Sequence, residues 1–252
     1  MISYQRKFIC IAEYWGAEPA GHPNVDILRF FQQPEPLPGM LSREFYTVQV
    51  DLRRDEDELL AKMKKKTRYE IKRAEVAGNF VCEITNETES SALSDFCDFY
   101  DRFAERKAQP KLNRSWLARL AEGGLLKVSH VREDGSANFV WHAYHWSSER
   151  ATLLYSASSL RDTYPAAVRA GIGRANRLLH WHDMLTFKNQ GVATYDFGGW
   201  YEKKEDHAKL NINKFKESFG GEIVKTYICE QPLTFKGKLF LTTRRLVLGN
   251  AI

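Results

Sequence analysis

The chain has 252 residues, with 37 Lys+Arg against 32 Asp+Glu and a formal net charge of +5. Hydrophobic residues at 43% and charged residues at 27% are ordinary for a soluble globular protein, and no run approaches the ~18 apolar residues needed to span a bilayer. Met1–Lys7 is followed only by apolar Phe8–Ala12 before Glu13, too short for a signal peptide, so neither an integral membrane protein nor an exported one is expected.

Residues 1–45 hold the short apolar run Phe8–Ala12 and five of the eight prolines (Pro19, Pro23, Pro34, Pro36 and Pro38). They are expected to form a loop-rich segment that packs onto a core built from residues 46–252. Tyr46–Val50 alternates and reads as a strand. Asp55–Ala77 has helical periodicity and stops at Gly78, and Phe80–Thr85 reads as a strand. Helices follow at about 87–107 and 113–122, the second opening on Asn113 and closing at Gly123-Gly124. Leu125–Arg132, Asn138–Trp146 and Ala151–Ser156 then form an antiparallel meander, turning at Glu133-Asp134-Gly135-Ser136 and Ser147-Ser148-Glu149. A long helix spans Ala166–Asn189 and ends near Gly191. Thr194–Phe197 is a strand entering Gly198-Gly199, Leu210–Phe219 a helix stopping at Gly220-Gly221, and Glu222–Cys229 a last strand. One α+β domain accounts for this order.

Four cysteines (Cys10, Cys82, Cys97, Cys229) are scattered without a CxxC pair. A disulfide framework or zinc site needs closer spacing, so reduced, mostly buried thiols, no metal and a cytoplasmic location are expected. His142 and His145 are three apart on a strand and point to opposite faces. His180 and His182 are two apart on a helix and do not converge. All four read as structural. No GxSxG, GxxxxGK[ST] or GxGxxG motif is present, which speaks against a hydrolase elbow and against nucleotide or dinucleotide sites.

Two features stand out. Residues 62–73, KMKKKTRYEIKR, carry seven basic groups and one acid, a local +6, so the other 240 residues sum to −1. On a helical wheel Leu60, Met63, Thr67, Ile71 and Ala74 share one face, with Lys62, Lys65, Lys66, Tyr69, Lys72 and Arg73 opposite and Arg68 at the seam. Like charges three and four apart destabilise a helix, so the stripe points to a ligand carrying phosphates: a nucleotide, a lipid-linked pyrophosphate or tRNA. A solvated face is the other reading. Residues 231–252 add Lys236, Lys238, Arg244 and Arg245 without an acid. Lys238–Leu248 reads as core packing with exposed arginines, and peripheral membrane contact as the second reading.

The other feature is YDFGGW (Tyr195–Trp200) followed by NKFKESFGGE (Asn213–Glu222). A double glycine lets backbone approach a ligand, and Trp200 beyond it is a candidate pocket wall. Lys216 is a candidate to stabilise an oxyanion or a phosphate, against a solvated helix lysine. Asp196 is a candidate base or orienter, against a partner for a nearby cation.

KKKTRYEIKRAEVAG (Lys64–Gly78), ANRLLHWHDMLTFKNQG (Ala175–Gly191), YDFGG and NKFKESFGG together resemble the FemABX family, in the family's order, over about residues 55–225. These are peptidoglycan-bridge aminoacyltransferases related to the GNAT acyltransferase superfamily. The resemblance implies a GNAT-like mixed, largely antiparallel sheet flanked by helices. It also implies transfer of an aminoacyl group from aminoacyl-tRNA, or of another acyl group, to an amine of a cell-envelope or saccharide precursor. Phe215-Lys216 matches the family's FK pair, whose lysine lies at the active centre near the tRNA 3′ end. Lys65, Arg68 and Lys72 match a basic helix near substrate and nucleic acid. With Tyr195, Gly198, Gly199, Trp200 and Phe215 they make the expected substrate-binding set, and Lys216 and Asp196 the catalytic one. Well-known members are longer, with two GNAT-like domains, whereas this chain has room for about one. Coenzyme A enzymes of the superfamily carry a Q/R-x-x-G-x-G/A loop at a helix N-terminus. Ala170, Gly173 and Ala175 fit its spacing without the leading residue, and Arg169, Gly171 and Gly173 offer a shifted version. The donor is thus aminoacyl-tRNA or acyl-CoA, with no permanently bound cofactor, and the acceptor is a phosphate-bearing small molecule or a lipid-linked one. A non-catalytic RNA-binding module is the reading of another class.

Overall fold

The computed structural model describes residues 1–6, 8–16, 24–85, 90–133, 138–161 and 163–248, and within them ten strands form one mixed sheet with seven helices around it. The expected turn residues Asp134-Gly135-Ser136, the helix start at 87–89, and Pro19 and Pro23 lie outside the described residues. In chain order the elements are β1 (Ile2–Arg6), β2 (Ile9–Trp15), β3 (Ile27–Gln33), β4 (Leu41–Asp51), α1 (Glu56–Lys62), α2 (Lys65–Ala77) and β5 (Phe80–Thr85). Then come α3 (Ser90–Arg106), α4 (Arg114–Glu122), β6 (Leu126–Glu133), β7 (Asn138–Trp146), β8 (Arg150–Ser158), α5 (Ala166–Asn189), β9 (Thr194–Gly199), α6 (His207–Glu217), β10 (Glu222–Pro232) and α7 (Phe235–Leu248).

The sheet order is β1-β2-β3-β10-β4-β9-β8-β7-β6-β5. The pairs β2–β3 and β8–β9 are parallel and the remaining neighbours antiparallel. The β8–α5–β9 crossover makes the second parallel pair, which holds only over Arg150–Thr152 against Thr194–Asp196. The sheet curls strongly. Trp15 of β2 stacks on His145 of β7 with ring centroids 4.1 Å apart, although five strands lie between them.

Each sheet face buries its own core, as period-two alternation requires. On one face Val48, Val50, Tyr144, Tyr195 and Phe197 pack with Leu59, Ile71, Trp181, Phe187 and Phe219 from α1, α2, α5 and the end of α6. On the other, Ile2, Ile9, Ile11 and Ile27 pack with Phe96, Leu117, Leu120 and Trp141. The described part of the first 45 residues is therefore not loop-rich. It supplies three strands and the start of β4, while Pro34, Pro36 and Pro38 mark only the β3–β4 connection. A buried ion cluster ties these strands to the C-terminal part: Arg29 donates to Glu13 and to Glu230, both at 2.8 Å, and Arg244 also donates to Glu230.

The single helix expected over Asp55–Ala77 is two. Met63 leaves the helical region at ψ 148° and the chain restarts at Lys65. The break is held from outside: Lys64 N donates to Ser218 O at 2.9 Å, and Gly220 packs on the Lys62 backbone so tightly that a Cβ would lie 2.6 Å from it. The cysteines are free, with Cys97 and Cys229 buried and Cys10 and Cys82 half-buried. No helix among the described residues is long and apolar enough to cross a membrane.

Candidate functional site

Strand β9 and helix α6 bring the two motif stretches together. Gly198 sits at φ +67°, and a Cβ there would meet Leu153 O at 2.6 Å, so only glycine lets β9 pass this close to β8. Lys216, in the last turn of α6, folds back and donates Nζ to Gly199 O at 2.5 Å. Burial pulls its pKa down from 10.5 to about 8, opposed by the negative charge of Asp196. Lys216 is thus a partly desolvated amine pinned at the end of the double-glycine strand. Trp200 closes the same corner, its backbone N donating to Tyr46 O at 2.7 Å and its Nε1 to Glu217 Oε1 at 2.7 Å.

Asp196 is close by but is not presented to a substrate. It is fully buried, and its oxygens accept from Thr47 Oγ1, from Gly198 N at 2.7 Å, from Gln32 Nε2 at 2.8 Å and from Gln49 Nε2 at 3.3 Å. Burial raises its pKa, with the Thr47 and Gly198 hydrogen bonds and the charge of Arg150 acting against that rise. With both oxygens occupied, it holds the glycine turn and biases Lys216 toward its charged form, which is the cation-partner reading of Asp196 rather than the base. Gln32 reaches Asp196 from the far side of the curl at φ 52°, and its Oε1 accepts from Arg150 Nη1 at 2.5 Å. A non-glycine residue in that region is strained by about 1–3 kcal/mol, and its two hydrogen bonds hold it there.

Tyr195, one residue earlier, faces the opposite side of the sheet and is fully buried, so it is not a substrate contact either. Its hydroxyl lies 2.7 Å from Tyr144 OH and 2.6 Å from His180 Nδ1. Tyr144 donates to Asp183 Oδ2 at 2.6 Å, an oxygen that also accepts from Ser129 at 2.8 Å and lies 2.9 Å from His142 Nδ1. Counting protons assigns the chain. The carboxylate only accepts, so the Tyr144 proton goes to Asp183, the Tyr195 proton goes to Tyr144, and His180 Nδ1 must donate to Tyr195. That tautomer leaves His180 Nε2 as a lone-pair acceptor, and no hydrogen bond from the described residues reaches it. Burial, with the charges of His142, Lys216 and Arg177 added, pushes the His180 pKa well below its usual value, so the ring is neutral at pH 7. His180 lies between Phe197 (5.0 Å), Phe219 (5.3 Å) and Phe215 (5.5 Å), with the Arg177 guanidinium 5.1 Å from the Phe215 ring centroid.

The sequence reading missed this network. His142 and His145 do face opposite ways, and His180 and His182 do not converge. What it lacked was the meeting of His142 with His180, stacked at 4.1 Å across the β7–α5 contact. The available signal was pairwise: His142 and Tyr144 share a strand face, and His180 and Asp183 share a helix face.

The basic stripe divides. Lys65 and Lys72 are exposed on α2, and the start of α2 abuts the end of α6 through Thr67 Oγ1 donating to Ser218 Oγ at 2.8 Å. Arg68 instead caps the end of α1, its Nη1 donating to the carbonyls of Leu60, Ala61 and Met63 at 3.2, 2.9 and 2.7 Å. The coenzyme A loop is not formed by the expected residues. Arg169, Gly171 and Gly173 are inside α5, where their amides serve the helix, and the amides left unsatisfied at its N-terminus are those of Ala166–Val168. Gly171 instead lines a cavity of about 440 Å³ between α2, β5 and α5, with Arg73, Asn79, Phe139 and Arg174. Among the described residues no His/Cys/Asp/Glu group is placed to hold a metal ion.

The chain matches the family described as "Acetyltransferase (GNAT) domain" over residues 61–209. No curated protein matches it. Among solved structures it resembles FemX at 14% identity and a TM-score of 0.60, over 79% of this chain and 63% of that one. It also resembles the C-terminal domain of a putative lysylphosphatidylglycerol synthetase from Agrobacterium fabrum (16%, TM-score 0.56, 89% and 74%). A third likeness is to L-PGS from Bacillus licheniformis (13%, TM-score 0.53, 86% and 72%). At these identities the likeness is one of fold, and this chain spans less than two thirds of FemX.

Proposed function

The chain belongs to the acetyltransferase (GNAT) domain family, and from that premise we propose that it transfers an aminoacyl group from aminoacyl-tRNA to an amine of a cell-envelope precursor, such as a peptidoglycan unit, or of a saccharide. The observation that carries this reading is Lys216, a partly desolvated amine hydrogen-bonded to Gly199 O and set beside the start of the basic helix α2. The acceptor amine attacks the aminoacyl ester carbonyl directly; the amide bond forms as the ester bond to the tRNA 3′ oxygen breaks, and that oxygen leaves with the proton the amine loses. Protonated Lys216 stabilises the negative charge that develops on the carbonyl oxygen, while His180, buried behind Phe215, ends the hydrogen-bond chain that holds this side of the sheet. Lys65 and Lys72 hold phosphates of the donor. The name of the lysylphosphatidylglycerol synthetase relative fits an aminoacyl product, and a tRNA donor would put the reaction in the cytoplasm.

A second donor, acyl-CoA, is favoured by one observation, the free amides of Ala166–Val168 beside the 440 Å³ cavity. Calorimetric titration with coenzyme A and acetyl-CoA separates the two. Saturable micromolar binding moves the donor to acyl-CoA. Its absence, together with discharge of charged tRNA in the presence of an acceptor amine, supports the aminoacyl reading; no discharge and no acyl transfer from either donor overturns both.

A further inference from the structure

Helix α7 presents its faces the opposite way from an ordinary amphipathic helix. Its inner side carries Gly237, whose Cα lies so near Asp26 that a Cβ would sit 2.2 Å from Asp26 O, then buried Leu241, and Arg244, whose Nη1 donates to Glu230 at 3.1 Å. Thr234 at its start donates to Asp26 Oδ1 at 2.7 Å. These contacts fix the rotation of the helix. They turn Phe235, Leu239 and Leu246 outward, exposed by 83%, 57% and 79%. Spacings of four and seven put the three on one stripe. Phe8, 60% exposed, sits edge-on to Phe240 at 6.5 Å on the neighbouring flank of the helix, and Leu233 before its start is exposed as well.

The borders of the stripe are basic. Lys238 and Arg245, seven residues apart and exposed, run along one side, and Lys236 lies on the other with Nζ 3.0 Å from Asp26. Residues 231–252 contain no acid. An outward apolar ridge edged by cations is the pattern of a helix that lies in a membrane interface. The 14 residues of α7 reach about 21 Å at 1.5 Å each, less than the ~30 Å of a bilayer core, so such a helix lies in the plane. A second copy of the chain fits less well, because ridge-to-ridge packing would bring these cations against their own kind, whereas anionic headgroups complement them.

We infer that α7 docks the protein on an anionic lipid surface, with Phe235, Leu239 and Leu246 inserted among the acyl chains and Lys238 and Arg245 at the headgroups. This is independent of which donor or acceptor the transfer site uses. The test is flotation of the full chain with vesicles of phosphatidylcholine alone or mixed with phosphatidylglycerol. The protein is expected to float with the mixed vesicles and far less with the neutral ones. The triple variant Phe235→Ser, Leu239→Ser, Leu246→Ser should lose at least about tenfold in partitioning, and Lys238→Glu with Arg245→Glu about tenfold on anionic vesicles only. All these positions are exposed, so an unchanged denaturation midpoint checks that the variants fold. No flotation of the parent chain, or flotation that the triple variant leaves intact, overturns the inference. So does a concentration-dependent dimer that the triple variant abolishes, which would give the ridge to a second copy.

Discussion

Replacing Lys216 with methionine should make the protein more stable and less active at once. The amine loses protons at about 8 in the folded chain and near 10.5 when unfolded. That difference corresponds to a preference of about 3 kcal/mol for the neutral form in the fold. Below pH 8 both states carry the charge, so the folded state bears the full penalty. Between pH 8 and 10.5 the unfolded chain binds more protons than the folded one, and stability rises with pH. Methionine removes the charge and nearly keeps the volume, but it forfeits the Nζ–Gly199 O hydrogen bond. The net gain at pH 7 is about 1–2 kcal/mol. Urea denaturation at pH 7 and at pH 10.5 measures it: the advantage of the variant should shrink at the higher pH. Transfer by the same variant should fall by about 10²–10³, and the parent rate should drop as pH rises through about 8, where Lys216 loses its proton. A variant less stable than the parent, or an advantage that does not change with pH, would refute the desolvated-cation account. A rate that climbs through pH 8 would instead make Lys216 a base.

Four other outcomes are expected. Gly198→Ala places a Cβ at φ +67° and against Leu153 O, and should destabilise the fold by about 2–3 kcal/mol in denaturant titration. Tyr195→Phe leaves His180 and Tyr144 without their shared hydroxyl; it should lower stability by about 1–3 kcal/mol and release the His180 tautomer. ¹⁵N NMR reads that tautomer directly, and a parent ring already protonated on Nε2 would break the proton assignment. Arg68→Ala should cost about 1–2 kcal/mol through the lost cap on α1. Lys72→Ala, by contrast, should leave stability within about 0.5 kcal/mol while reducing the salt dependence of polyanion binding by about one phosphate contact.

Local signals carried the elements a long way. α5, β5 and β7 begin and end at the residues their periodicity marks, and the meander β6–β7–β8 is antiparallel. Asn113 caps α4, accepting from Trp116 N at 3.2 Å, as its place before an amphipathic run implies. The α+β class followed from the same punctuation, and the mixed sheet is what the resemblance to the FemABX family implied. The described part of the first 45 residues was misjudged because short apolar runs of strand length carry little periodicity, and Pro34, Pro36 and Pro38 mark only the connection between β3 and β4.

The sequence by itself determined which residues share a face, because side-chain direction repeats every two residues in a strand and every 3.6 in a helix. That was enough to put the basic stripe on the outside of α2, whereas Tyr195 and Asp196, which the motif reading set in one site, point to opposite sides of β9. Only the tertiary structure decided which faces meet. β4 lies between β10 and β9, and Gln32 of β3 comes over the curl to Asp196, although 164 residues separate them along the chain. Arg68 became a cap rather than a ligand group because Ser218 and Gly220 force a break in the helix at Met63 and expose the last carbonyls of α1. His180 became the end of a buried hydrogen-bond chain because α5 crosses β7 and β9 where Tyr144 and Tyr195 can pass a hydrogen-bond direction on from Asp183. Such contacts depend on strand order and sheet curl, and these come from packing between segments far apart in sequence.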